Sequence, residues 1–171
     1  MTYEIKIYGN PVLREQSRSV EKVDDNIRQL VSDMLDTMHE RNGVGLAAQQ
    51  IGRTESICVI DVPDSPDNKN NVKMPMALIN PNITESSGTQ TDNEGCLSFP
   101  EISASIKRSL DITVEYTDLE NTNKKVKASG LLARAIQHEM DHLNGILIVD
   151  RMSLAQKAVL SGKLKRLKKT G

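Results

Sequence analysis

Aromatic side chains are almost missing from this sequence: of 171 residues, one is Phe, three are Tyr and none is Trp. That scarcity removes the stacking platform on which single-strand binders depend, and a net charge of -1 gives no overall pull toward a polyanion, so no DNA partner is expected. Cysteine is as sparse. Only Cys58 and Cys96 occur, in unlike contexts, which argues against a disulfide-stapled secreted scaffold and for a reducing cytoplasm where a cysteine serves chemistry. Long hydrophobic runs are lacking too, since no segment approaches the roughly 18 apolar residues of a membrane-spanning helix. The opening stretch MTYEIKIYGNPVLREQ carries Glu4, Lys6, Arg14 and Glu15 and reads as neither an export signal nor an anchor. A cytoplasmic chain without membrane contact is expected.

What is present fits one catalytic-sized domain over residues 1–171, with no internal repeat and no low-complexity linker. Over 26–40, Ile27, Leu30, Val31, Met34, Leu35 and Met38 recur at three- and four-residue steps and predict an amphipathic helix, with Asp24 or Asp25 to cap it and Gly43 beyond its end. The small residues of GVGLAAQQIG, 43–52, predict a loop. Strands are expected over 56–62, around 76–79, over 103–107 and over 110–116, and the polar stretch 64–73 reads as an exposed loop. A second helix is predicted over 130–144, with Leu132, Ala135, Ile136 and Met140 on or near one face and Gly145 past its end. A third runs over about 153–169, capped by Ser153 and crowded at its end by Lys163, Lys165, Arg166, Lys168 and Lys169, either a solvated face or a contact for a local anionic partner. Strands lying between long helices without βαβ alternation predict an α+β fold, with mixed or antiparallel strands packed around a central helix and flanked by N-terminal and C-terminal helices.

That central helix carries the strongest chemical pattern, His138-Glu139-Met140-Asp141-His142. Side chains four apart share a helix face, so both imidazoles can reach one ion, and Glu139, one step round, can move protons beside it. The chain has three histidines in all, and two of them fall at this spacing. A catalytic site takes a third protein ligand and leaves a position for water. Cys96, in Asn93-Glu94-Gly95-Cys96-Leu97-Ser98, is the better candidate, because Gly95 frees the backbone and a thiolate suits borderline and soft divalent metals; taken alone it reads equally well as a small buried hydrophobe. Cys58, between Ile57 and Val59, reads as a buried strand residue.

Three segments together, Gly43-Val44-Gly45-Leu46-Ala47-Ala48-Gln49-Gln50, Glu94-Gly95-Cys96-Leu97-Ser98 and Gln137-His138-Glu139-Met140-Asp141-His142-Leu143, resemble the peptide deformylase family in order and separation. The similarity runs over nearly the whole chain, from Asn10-Pro11-Val12-Leu13-Arg14 to the closing basic helix. The resemblance implies a metal-dependent hydrolase that removes the formyl group from N-terminal formyl-methionine of nascent polypeptides and releases formate. It implies Cys96, His138 and His142 as ligands, a metal-activated water as nucleophile, and Glu139 as general acid/base. It also implies that the Gln50 side chain and the Leu97 amide meet the charge growing on oxygen, that Gly45 pairs with the extended N-formylmethionyl peptide, and that Val44, Leu131 and Ala135 line a methionine pocket with His138 at its base. Taken alone, Gln50 reads as a surface residue, Gly45 as a turn, and Val44 and Leu131 as core. Arg134 is expected at the rim or in solvent, and no role is assigned to it.

The family favours one divalent ion, Fe2+ rather than Zn2+ or Ni2+, although the ligand types themselves suit all three. It also implies ribosome docking through the basic C-terminal helix. Glu94 and Arg108 are expected to form an ion pair holding the cysteine loop, whereas Ser103 stands where several relatives carry arginine. Two rival readings remain: an HExxH-type zinc peptidase, and a non-catalytic structural metal or ribosome-binding module, which would need a fourth protein ligand and no Glu139.

Overall fold

The structure, a computed structural model, describes residues 1–63 and 72–171. The predicted exposed loop at 64–73 therefore lies, but for its last two positions, outside the described residues.

Strand β2 (Ile57–Ile60) explains the layering, because all four of its residues are buried and successive side chains leave a strand on opposite faces. Cys58 and Ile60 join the core under one helix, while Ile57 and Val59 join the core under another. Around it β1 (Gly45–Ala47), β3 (Met76–Ser87), β6 (Asp111–Thr117) and β7 (Asn123–Ser129) complete a five-stranded sheet in the order β1-β2-β3-β6-β7, antiparallel throughout. On one face lies α1 (Asp25–Glu40), whose Leu30, Val31, Met34 and Met38 pack on Leu46, Ile57, Val59 and Ile79. Asp24 caps it by accepting the Ile27 N–H at 2.9 Å. On the other face lies α2 (Gly130–Leu143), whose Leu132, Ala133, Ile136 and Leu143 pack on Ala47, Cys58, Leu78 and Val114.

A separate two-stranded hairpin, β4 (Gln90–Cys96) and β5 (Phe99–Arg108), has its own core. Burial alternates along β5, so Ile102, Ala104 and Ile106 meet Leu13, Leu147, Ile148 and Leu164, the last two from α3 (Ile148–Arg151) and α4 (Leu154–Lys168). Between α2 and α3, Gly145 takes φ +70°, and a Cβ there would stand 2.6 Å from the Arg14 carbonyl oxygen, so only glycine fits the turn. The antiparallel α+β architecture around a central helix is the one expected. One local reading fails: the stretch 43–52 is not a plain loop but holds β1 followed by a 3-10 turn, Ala48–Ile51. Strand pairing with β2 and burial of Leu46 and Ala47 override the small-residue loop signal.

Candidate active site

Helix α2 places His138 and His142 one turn apart on one face. Cys96 comes from the last position of β4, where the register shifts after Gly95 and Cys96 pairs with Phe99 across a turn of Leu97 and Ser98. That turn is braced from behind: the Tyr8 N–H donates to the Ser98 carbonyl at 3.0 Å, and the Tyr8 ring stacks on Phe99 with centroids 4.7 Å apart. The three side chains converge. Cys96 Sγ lies 3.3 Å from His142 Nε2, and one donor atom from each of Cys96, His138 and His142 falls within 4.8 Å of the others. Among the described residues no fourth His, Cys or carboxylate joins the group. A thiolate and two imidazoles, with no fourth protein donor among the described residues, fit a divalent ion of the catalytic kind.

Glu94 sets the orientation of His138, whose Nδ1 meets Glu94 Oε1 at 2.9 Å, so that Nε2 is turned toward the cluster. The expected Glu94–Arg108 pair is present as a two-point fork, Nη2 to Oε1 at 2.9 Å and Nε to Oε2 at 3.0 Å. Arg134 overturns its expectation. Rather than reaching the rim, it is buried, and its Nη1 donates to Glu94 Oε2 and to the Ile106 carbonyl. The buried carboxylate of Glu94 on β4 draws the guanidinium inward, a signal invisible in the local sequence because Glu94 lies 40 positions earlier.

Burial pushes the Glu94 carboxyl up, but hydrogen bonds and charge from His138 and Arg108 prevail and hold its pKa at about 2. Burial likewise opposes charge on His138, yet Cys96, Glu94 and Glu139 outweigh it and raise its pKa well above the usual imidazole value. His142, buried and facing the His138 charge, is pushed well below that value. Glu139 is pushed up to about 7, chiefly by burial, which leaves it able to accept and return a proton near neutrality. Its Oε2 is buried without a partner among the described residues, and Oε1 stands 3.9 Å from His138 Nε2.

In front of the cluster opens a cavity of about 770 Å³. Val44, Gly45, Leu97, Leu131 and Ala135 line it together with Gln50, Cys96, His138 and Glu139, so every candidate site residue except His142 reaches its wall. The core reading of Val44 and Leu131 fails, because both are large apolar residues left 42% and 49% exposed at this cavity. Ala135 is buried at 7%. The surface reading of Gln50 fails as well: it is buried, its Oε1 accepts the Ala47 N–H at 2.9 Å, and its Nε2 reaches Ser98 Oγ at 3.2 Å and Cys96 Sγ at 3.5 Å. Gly45 faces Glu139 so closely that a Cβ would lie 2.6 Å from Oε1. Cys58, as expected, is a fully buried strand residue away from the ligand group. Ser103 Oγ is bonded to Asn93 Nδ2 at 3.2 Å on the cavity wall. Ser98, fully buried against Gln50, is a contributor that sequence reasoning did not single out, since a lone serine after a cysteine carries no chemical pattern of its own.

Known proteins are similar to this chain in sequence and in backbone. The family model described as polypeptide deformylase matches residues 2–158. The peptide deformylase of Dictyoglomus thermophilum is 45% identical over 151 residues, which cover 88% of this chain and 93% of that one. The crystal structure of peptide deformylase from Thermus thermophilus superposes with a TM-score of 0.89 at 37% identity, over the full length of both chains. That from Ehrlichia chaffeensis, in complex with actinonin, gives 0.89 at 38% identity over 96% of each. Agreement of this extent in sequence, length and backbone means that the chain belongs to the polypeptide deformylase family.

Proposed function

We propose that Cys96, His138 and His142 hold one divalent metal ion and that Glu139, Gln50 and Leu97 work beside it. The reaction is that of a metal-dependent hydrolase, a peptide deformylase: the formyl group leaves the N-terminal formyl-methionine of nascent polypeptides as formate. An ion held by these ligands supplies Lewis acidity, polarising the formyl carbonyl and lowering the pKa of a water toward about 7. Glu139 takes a proton from the attacking water as its oxygen bonds to the formyl carbon. It then gives that proton to the nitrogen as the C–N bond breaks, so formate and a free amine result. Gln50 Nε2 and the Leu97 N–H donate to the formyl oxygen as charge builds on it. The β1 edge at Gly45 pairs with the extended peptide backbone, and Val44, Leu131 and Ala135 receive the methionine side chain above His138.

The observation that carries this reading is the convergence of one sulfur and two imidazoles within 4.8 Å, beside a buried carboxyl with a pKa of about 7. Neither rival is favoured, since the family is that of deformylases and no fourth protein donor joins the group among the described residues. Substitution Glu139→Gln is expected to leave metal content stoichiometric and to cut formate release from a formyl-Met peptide by about 10²-fold or more. A variant that kept turnover would sink the role of Glu139.

We further propose ferrous iron as the native ion, because its thiolate and imidazole ligands suit it and the family favours it; metal analysis after anaerobic purification decides between iron, zinc and nickel. The basic face of α4, with Lys163, Lys165, Arg166, Lys168 and Lys169 all exposed, supports docking on ribosomal RNA through salt-sensitive phosphate contacts. A single catalytic domain over 1–171 working in the cytoplasm completes the proposal. Among the described residues no helix is long and apolar enough to cross a membrane.

A further inference from the structure

Behind His138 lies a network of paired charges. Glu94 is gripped by both Arg108 and Arg134, and Arg108 reaches on to Asp141 at 2.5 Å, which Arg151 also holds, at 2.9 and 3.1 Å. Arg151 is 45% exposed, so the buried members of the network are two guanidiniums, Arg108 and Arg134, and two carboxylates, Glu94 and Asp141. Of the two buried guanidiniums, Arg134 is the one whose contact with Glu94 adds to a grip already made. Arg108 already fixes Glu94 at two points, and Glu94 alone meets His138 Nδ1. Arg134 adds a second cation to a carboxylate that needs no further support. It does so at 5% exposure, with Nη2 buried and unpartnered among the described residues. A buried charge with an unsatisfied donor is costly, and the contacts of Nη1 with Glu94 and the Ile106 carbonyl leave Nη2 without compensation.

Its position suggests what it does. Arg134 precedes His138 by four residues on α2, so the two side chains share a helix face, and Arg134 lines the same cavity as Glu139 and Cys96. We propose that Arg134 is a tuning residue, which raises the positive potential at the Cys96–His138–His142 group, loosening retention of a divalent cation while favouring negative charge on the reacting oxygens. This rests on the ligand assignment made above. The sign separates it from a structural role. A cation that merely braced the site would, when removed, let the ion go faster, whereas a like charge that repels the ion would, when removed, let it stay longer. Pairing with Glu94 cancels most of the guanidinium charge at the cluster, and the part left over is read as a change in retention of roughly tenfold.

The test uses the full-length protein loaded with zinc and challenged with excess chelator, with zinc release followed in time and kcat and KM measured on a formyl-Met peptide. Arg134→Met is expected to hold zinc about tenfold longer than the wild type and to lose kcat with KM little changed, and Arg134→Lys, which restores the charge, to return retention to the wild-type rate. Should Arg134→Met be unfolded by circular dichroism, Arg134→Gln is judged by the same criterion. A folded neutral variant that releases zinc at the wild-type rate or faster overturns the tuning role, as does an Arg134→Lys protein that behaves like the neutral one. A Cys96→Ser protein that retains zinc like the wild type overturns the ligand assignment itself, and the tuning role with it.

Discussion

The amide of Gln50 has only one way to lie. Turning it over would set its NH2 group against the Ala47 N–H, a donor facing a donor, and would point its oxygen at the Cys96 sulfur. The backbone of β1 thus aims the Gln50 donor at the reacting centre before any substrate arrives, which is the preorganisation that oxyanion stabilisation requires. Gln50→Leu removes the donor at nearly constant volume, and kcat is expected to fall by about 10²–10³ with metal content and KM close to wild type. Unchanged kcat would mean that the formyl oxygen does not meet Gln50. At this scale the sequence was uneven as a guide. His138, Glu139 and His142 could be read because helix geometry alone ties them together, and Cys96 could be joined to them through its ligand chemistry. Ser98 and Arg134 could not, and Gln50 only through the family resemblance, since what each one does depends on a partner that only the fold supplies: the Gln50 side chain, the Glu94 carboxylate and the Ala47 amide.

Among elements, the decisive joint is the one between the β4–β5 hairpin and α2, because Cys96 rides on the first and His138 and His142 on the second. Arg108, at the end of β5, closes that joint by binding Glu94 of β4 and Asp141 of α2 at once. Its side chain is 4% exposed, and that of Glu94 5%. Removing one partner of such a buried pair strands the other, so Arg108→Ala is expected to destabilise the fold by about 3–5 kcal/mol and to speed loss of the ion. Denaturant unfolding and chelator challenge measure the two effects, and a protein unchanged in both would show that the joint is held elsewhere. The contrast with Arg134 is useful here, since one arginine holds Glu94 by geometry and the other acts on the ion by charge. Elements that bury one clean face were legible: α1 and α2 lie within a residue of their predicted bounds, and the alternation of β6 is plain in Ile112, Val114 and Tyr116. Strands β4 and β7 were not, for Gln90–Cys96 and Asn123–Ser129 bury almost nothing and are strands only because β5 and β6 offer them a ladder.

At the scale of the whole molecule, an ion held as proposed would tie together two cores that Arg108 and Arg134 already join. His138 and His142 stand on the helix packed against the five-stranded sheet, and Cys96 packs at the edge of the hairpin core built from Phe99, Ile106 and Leu147. The order β1-β2-β3-β6-β7, which brings the hairpin to the front of α2, depends on long-range pairing that no local pattern in the chain records. The α+β class itself could be read from strands clustered between helices. A cation that binds only when both cores are in place binds the folded chain and not the unfolded one, so its binding energy becomes folding energy. Saturation at 100 times the dissociation constant would add about 2.7 kcal/mol, which for a chain of this size moves the melting temperature by roughly 5–10 °C. Thermal unfolding of the chelated protein, titrated with zinc or, without oxygen, with ferrous iron, is expected to show a midpoint that climbs with metal concentration. In Cys96→Ala the ion's link between the cores is cut, and the midpoint should hardly respond. If it climbs there as in the wild type, the stabilising ion sits on α2 alone, and the hairpin contributes no ligand.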